Sequence, residues 1–485
     1  MFEDAPVNTG AVIWPEQDWA QVTVRRMQTK LHCWAAGDPG RRFDDLYNLV
    51  CDPAFLVVAW QRVAGNAGAR TPGIDRATVA WIVSRIGVEE FLQDVRDQLR
   101  SRTFQPVEVR QVMIPKASGK LRKLGIPTVT DRVVQAALKL VLEPIFEADF
   151  RPCSYGFRPN RRAQDAIAEI HHFTTKSYHW VLEADIEACF DMIDHVALMG
   201  RVRSRIGDKR VLGLVKAFLK AGVMTTTGSR EATHTGTPQG GILSPLLANI
   251  ALSVLDEHFT RKWEALGPEW TRVKHRRAGG ATMRLVRYAD DFVVLLHGTR
   301  ADADALWDEV GAVLAPMGLR LSAEKTKACH IDEGFDFLGW RIQRRAWRSR
   351  TGKQAIYTYP SKKTLASIID KVRSLTRRAK HRTLADLLRR LNPVLRGWCN
   401  YFRHGVSART FGYVDHFAFW RIVGWLRKRH VGLNMHILIR RFLPGWKIRA
   451  GNVEMLRPKE VAIVRYRYRG ARIPTPWSSP TTTPA

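Results

Sequence analysis

Positive charge is packed into one stretch of this chain. Residues 341–450 hold 27 Lys and Arg against three acids, Asp370, Asp386 and Asp415. Residues 1–340 hold 44 Lys and Arg and 41 Asp and Glu, so they are close to neutral. A field so one-signed attracts polyanions, with nucleic acid the first candidate and an anionic membrane surface the second. The basic stretch also has a period. Leu384, Leu387, Leu388, Leu391, Leu395, Trp398 and Phe402 recur every three or four residues, as on a helix that buries one face. Arg389, Arg390, Arg396 and Arg403 fall between them. Pro393 is expected to break or kink the run near Asn392. The pattern predicts a small helical bundle over residues 361–440, apolar inside and basic outside. Trp398, Tyr401, Phe417, Trp420 and Trp425 suit its core better than base stacking.

The chain has 485 residues and a net charge of +31, with 45% apolar and 25% charged residues. That is globular composition, with length enough for two to four packed units. No apolar run approaches the ~18–20 residues needed to span a bilayer. The opening MFEDAPVNTG carries acids and does not read as a signal peptide, so the expected compartment is the bacterial cytoplasm, with no membrane partner. Six scattered cysteines contain no Cys-x-x-Cys pair, which argues against a zinc site or a disulfide framework.

Residues 1–105 read as mostly helical. Val107–Ile114 and Lys120–Ile126 read as two strands about an Ala-Ser-Gly turn. Asp131–Phe146 reads as a helix capped by Thr130 or Asp131. Trp180–Asp185 reads as a strand, and Asp194–Lys220 and Ser244–Phe259 as helical. Arg284–Leu296 reads as two strands about a tight turn, Ala301–Pro316 as a helix, and Phe335–Gln343 as a strand. Arg344, Arg345, Arg348 and Arg350 mark a linker or an exposed ribbon. Strands and helices mix without βαβ alternation, so the expected class is α+β. The closing PTPWSSPTTTPA is expected to be disordered.

Two acidic clusters stand out, Glu183-Ala184-Asp185-Ile186-Glu187 and Tyr288-Ala289-Asp290-Asp291. Asp290 and Asp291 lie between two apolar, β-rich runs, where paired carboxylates lose hydration and repel. A divalent cation relieves both, and magnesium prefers oxygen ligands. Taken alone, the pair also suits an ordinary hairpin turn.

The order of further segments identifies the chain as a member of the group II intron reverse transcriptase and maturase family. Tyr-Ala-Asp-Asp resembles the family's metal-binding turn. Thr71-Pro72-Gly73-Ile74-Asp75 resembles its extra N-terminal block, and Ile114-Pro115-Lys116 through Lys120–Pro127 its fingers hairpin. Ser154-Tyr155-Gly156-Phe157-Arg158-Pro159 and Gly236-Thr237-Pro238-Gln239-Gly240-Gly241-Ile242-Leu243-Ser244-Pro245-Leu246 resemble the next two blocks. Gly318–Thr326 and Phe335-Asp336-Phe337-Leu338-Gly339 resemble the last two, and Arg396–Phe402 the maturase segment.

The likeness implies a right-hand polymerase with fingers and palm, followed by an α-helical thumb and maturase domain. Its divisions are an N-terminal helical extension (1–70), fingers and palm (71–345), a linker (346–360), thumb and maturase (361–440), and a basic tail (441–485). It implies two Mg²⁺ ions on Asp185 and Asp290, with Asp291 as a further ligand or a charge just behind them. The Ile186 carbonyl could complete a shell. Lys116, Arg122, Phe190, Gln239 and Lys325 would meet the nucleotide, Phe190 as gate against a ribose 2′-hydroxyl or as plain core. Arg389, Arg390, Arg396, Arg403, Arg427 and Lys428 would meet RNA. The implied partners are group II intron RNA, an RNA template with DNA primer, target DNA and dNTPs. Glu187 stands where many relatives carry Lys, and no Cys-x-x-Cys follows residue 400. The expectation is no H-N-H nuclease and a primer from another source. Two alternatives stay open, an intron-free enzyme in defence or a CRISPR system, and a non-catalytic splicing factor.

Overall fold

The computed structural model describes residues 12–115, 119, 121–225, 229–231, 233, 235–237, 240–346, 354–378 and 383–478. In chain order the strands are β1 (Val109–Pro115), β2 (Leu121–Ile126), β3 (Trp180–Asp185), β4 (Val223–Met224), β5 (Arg230–Glu231), β6 (Thr282–Tyr288) and β7 (Asp291–His297). They continue with β8 (Lys327–His330), β9 (Phe335–Phe337), β10 (Trp340–Ala346), β11 (Gln354–Pro360), β12 (Arg449–Ala450) and β13 (Val453–Glu454). Two four-stranded sheets organise the first two-thirds, ordered β2-β1-β4-β5 and β6-β7-β3-β8.

The second sheet is the palm, and its sequence reports its burial. Along β7, Phe292, Val294 and Leu296 pack into one core cluster, and Val293 and Leu295 into another. β3 splits likewise, with Leu182 and Ala184 on one side and Val181 on the other. Side chains alternate across a strand, so a sheet covered on both faces needs apolar residues at consecutive positions. The first core continues into the N-terminal helices Gln17–Gly37 and Pro53–Ala64, which pack on the long helix Val129–Asp149. That helix starts earlier than its sequence predicts. Thr128 caps it by accepting the Asp131 N–H at 3.1 Å.

Several expectations change. Residues 354–360 are not a linker: β11 pairs with β10 from Trp340↔Pro360 to Ala346↔Gln354, so this part is a ribbon. Arg348 and Arg350 lie outside the described residues. Phe335–Gln343 is two strands, because Leu338 and Gly339 take left-handed backbone and turn the chain. Asp194–Lys220 is two helices, with Asp208 capping the second. Pro393 sits inside one helix, Leu384–Phe402. Leu387, Leu388, Leu391 and Leu395 are buried on both sides of it, and their packing outweighs the hydrogen bond the proline cannot make.

The basic bundle packs helices Lys362–Arg378, Leu384–Phe402 and Ala408–Arg429 about their own core. The tail is not a loose extension. Residues 461–478 run back along the protein, where Arg469 grips Asp165 and Trp477 is buried with its indole N–H 3.2 Å from Gln28 Oε1. The end beyond residue 478 lies outside the described residues.

Candidate active site

Strand register brings the acidic clusters together. Asp185 ends β3 and pairs directly with Asp291, the first residue of β7. Asp291 also faces Tyr288 of β6, leaving Ala289 and Asp290 as the two-residue turn between them. Paired residues on neighbouring strands have Cα atoms about 4.5–5.5 Å apart, so residues 106 positions apart in sequence share one sheet end. Ala289 has φ of 59°, the left-handed conformation that tight hairpin turns require.

The electrostatics are those of crowded anions. Loss of water raises the Asp290 pKa, and the charge of Asp185 adds to it. Asp291 reaches solvent on one side yet is pushed up to about 6, first by desolvation, then by Asp290 and Asp185. Lys325 answers part of this charge, with Nζ 2.6 Å from Asp185 Oδ2. Among the described residues no three metal-binding side chains converge into a ready-made cage. The set still fits a hard divalent cation, because its donors are carboxylate oxygens whose mutual repulsion a cation would remove. Ile186 faces the same way. The Glu187 N–H donates to Arg320 O and the Ser322 N–H to Asp185 O, so the peptide groups of Ile186 itself turn from that strand toward the aspartate turn.

A buried arginine holds the turn in place. Arg287 is fully buried and pairs with Asp256 through two bonds, Nε–Oδ1 at 2.8 Å and Nη2–Oδ2 at 2.5 Å. It also donates to Asn249 Oδ1, Ser154 Oγ and the Ala289 carbonyl, at 2.9, 2.8 and 2.9 Å. The Asn249 amide donates in turn to the Gly156 carbonyl at 2.9 Å. Gly156 lies against the turn so closely that a Cβ there would meet Tyr288 C at 2.7 Å, with Ala289 N nearer still. Sequence reasoning missed this network. The signal was present: Arg287 is the one cation in Leu285–Leu296, a run apolar apart from it and the Tyr-Ala-Asp-Asp turn.

Phe190 is buried, 6.5 Å edge-on from Phe157, and its carbonyl accepts the Thr237 N–H at 2.6 Å. Arg122 stands on β2 opposite Ile114, and its charge reaches Asp290. Gly240 packs with φ of 118° against the Gly125 carbonyl of the same strand, joining the 236–243 loop to the fingers. Lys325 lies on Asp185 rather than in open space. Lys116 and Gln239 lie outside the described residues.

Comparison with known proteins agrees with this geometry. Residues 114–342 match the family described as reverse transcriptase (RNA-dependent DNA polymerase), and residues 365–443 match the group II intron maturase-specific domain. Protein YkfC of Escherichia coli is 38% identical over 376 residues, 72% of this chain and 97% of YkfC. Group II intron-encoded protein LtrA of Lactococcus lactis is 32% identical over 445 residues, 78% of this chain and 73% of LtrA. The chain belongs to the group II intron-encoded reverse transcriptase and maturase family. It is an RNA-directed DNA polymerase with a maturase domain for intron splicing, and reverse transcriptases use divalent metal ions. Nuclear intron maturase 1 of Arabidopsis thaliana is a more distant relative, 25% identical over 305 residues, 47% of this chain and 43% of that protein.

In the maturase domain Arg389, Arg390, Arg396, Arg427 and Lys428 are exposed. Arg389 is shared with Asp386 at 3.3 Å, and Arg403 is half-buried. Among the described residues no helix is long and apolar enough to cross a membrane.

Proposed function

We propose that Asp185, Asp290 and Asp291, with the Ile186 carbonyl, hold two magnesium ions and that nucleotidyl transfer occurs at this end of the palm sheet. The observation that carries the reading is the register Asp185↔Asp291 beside the Asp290 turn. Bound magnesium supplies Lewis acidity, activating the primer 3′-hydroxyl and offsetting charge on the leaving pyrophosphate. The protein's part is placement. Arg287 and Gly156 hold the turn at one height, so the carboxylates present their oxygens without reorganising. Arg122 and Lys116 attract the incoming triphosphate from the fingers hairpin. Phe190 excludes a ribose 2′-hydroxyl, and Gln239 sits at the nascent base pair. With the carboxylates neutralised by bound cations, Lys325 would be free to turn from Asp185 to the nucleotide phosphates.

The exposed arginines of the maturase domain, with Arg403 and Lys428, grip group II intron RNA. The polymerase copies that RNA from a DNA primer during retrohoming into target DNA. Primer extension on an RNA template with dNTPs and Mg²⁺ tests this against Asp290→Asn. The expected result is extension lost with intron splicing retained. Extension at wild-type rate in Asp290→Asn would remove the aspartates from the chemistry.

A further inference from the structure

A second groove runs between the helix Ala163–Thr174, the β10–β11 ribbon, the turn at 404–406 and the extended segment 463–468. It encloses about 1090 Å³ and shares no residue with the aspartate end of the palm. Its charge has one sign. No Asp or Glu lines it, whereas Arg465 and Arg467 do, and burial favours the neutral form of the neighbouring His171 and His172. Arg469, next in the Arg-Tyr alternation, is held by Asp165 at 2.8 Å. Arg465 and Arg467 are exposed and make no ion pair among the described residues.

Aromatic faces lie between these cations. Tyr468 stacks flat on His172, with centroids 4.3 Å apart and planes 17° off parallel, and Tyr466 stands edge-on to His404 at 5.0 Å. A hollow of about 370 Å³ continues the track, sharing Tyr466 and Arg467 and adding Asn160 and Arg162. Cations interleaved with half-buried rings that line a groove suit a flexible polyanion with stackable bases. The segment is also held in advance. Trp477 on Gln28 and Arg469 on Asp165 anchor it downstream, and the Val464 N–H donates to Arg403 O at 2.9 Å upstream. Little ordering entropy then opposes a ligand.

We infer that this groove binds a single-stranded segment of RNA, its phosphates on Arg465 and Arg467 and one base against the Tyr468 ring that lines it. Unpaired loops and junctions of a folded RNA offer such segments. The inference rests on the reading that this chain binds intron RNA, and it adds a site outside the maturase helices.

The test uses the full chain with its polymerase cleft filled by an RNA–DNA template–primer duplex. A fluorescein-labelled 15-nucleotide single-stranded RNA is titrated by anisotropy at several salt concentrations. Arg465→Gln/Arg467→Gln, checked for an unchanged melting temperature, should bind about tenfold more weakly, with a log–log salt slope shallower by about 1.4 for two lost phosphate contacts. Tyr468→Ala should lose at least about fivefold, and Tyr468→Phe should keep its affinity. Unchanged affinity and slope in the double Gln variant would overturn the proposal. So would a loss confined to duplex DNA. Arg427→Ala/Lys428→Ala separates the two readings. If it weakens RNA binding while the groove variants do not, the groove fails alone. If neither weakens it, both readings fail.

Discussion

Gly156→Ala tests whether backbone packing sets the height of the Ala289-Asp290 turn. A Cβ at this position lies 2.7 Å from Tyr288 C and 2.9 Å from Ala289 Cα, where ordinary contact begins near 3.4 Å. The obstacle is backbone, so no side chain can swing away. Opening the Tyr288 C contact from 2.7 Å to 3.4 Å takes about 0.7 Å, and Ala289 N, which lies nearer, demands more, so the turn or residues 154–157 must move by about 1 Å. The 154–157 side resists, because Arg287 exchanges backbone hydrogen bonds with Cys153 and Tyr155, and Asn249 holds the Gly156 carbonyl. The shift therefore falls largely on Ala289 and Asp290. Misplacing a catalytic group by about 1 Å costs on the order of 100-fold in rate, so this shift predicts a loss of roughly 100-fold in kcat. Overpacking should cost about 1–3 kcal/mol of stability. The assay is single-turnover primer extension at saturating dNTP, with template–primer affinity measured separately. A folded Gly156→Ala protein that extends within about threefold of wild type refutes the argument.

Three further outcomes follow from other contacts. Asp208 accepts the N–H groups of Leu46 and Tyr47, each at 2.9 Å. Burial alone would raise its pKa, but Arg210 and these N–H groups outweigh burial and hold it at about 2. Its stabilisation, about 2–3 kcal/mol, is present above the unfolded pKa near 3.8 and fades as pH falls toward 2. Asp208→Ala should lose this margin at pH 7 in a urea melt and flatten the wild-type slope over that acid window. Lys325→Ala removes an exposed cation from Asp185, worth at most ~1 kcal/mol. The Mg²⁺ concentration that half-shifts the melting temperature should fall two- to fivefold, and an unchanged midpoint would disprove competition. Phe402→Ala should cost about 3–5 kcal/mol by chemical denaturation, because Phe402 is buried between Trp340 and Trp398 at 4.8 and 5.0 Å. A cost under ~1 kcal/mol would mean the palm and maturase domain do not share this packing.

Legibility in the sequence varied with the range of the interaction that decides each element. β3 was readable to the residue, and the β6–β7 hairpin nearly so, because both-face burial writes itself as an apolar run broken by two acids. Pairing of Asp185 with Asp291 was not in either run. It came from the order of motifs, and register then realised it. Pro393 carries a local breaking signal that four buried leucines override. The 461–478 segment carries only a misleading local signal. Alternating Arg and Tyr has strand periodicity, yet its partners are Asp165, His172 and Gln28, hundreds of residues upstream. Arg287 was overlooked for the opposite reason, since a charge in a strand usually reads as a solvent-facing position.

The two activities in this chain are mechanically joined, and the joint explains where charge is tolerated. Trp340 begins β10 at the end of the polymerase match, and Phe402 ends the helix that carries the maturase segment. Their rings pack with Tyr155, Phe173 and Phe411 in one cluster that also lines the back of the palm sheet. The base of the maturase domain is thus part of the palm's core and must be apolar. Away from this joint Arg389, Arg390, Arg396, Arg427 and Lys428 are exposed, as are Arg465 and Arg467 on the segment that returns along the palm. A polymerase that reads the RNA it also folds needs both surfaces fixed in one frame. A shared apolar core fixes that frame while Arg389, Arg390, Arg396, Arg427 and Lys428 stay exposed, and only Arg403 of the arginines proposed to meet RNA, next to Phe402, is half-buried.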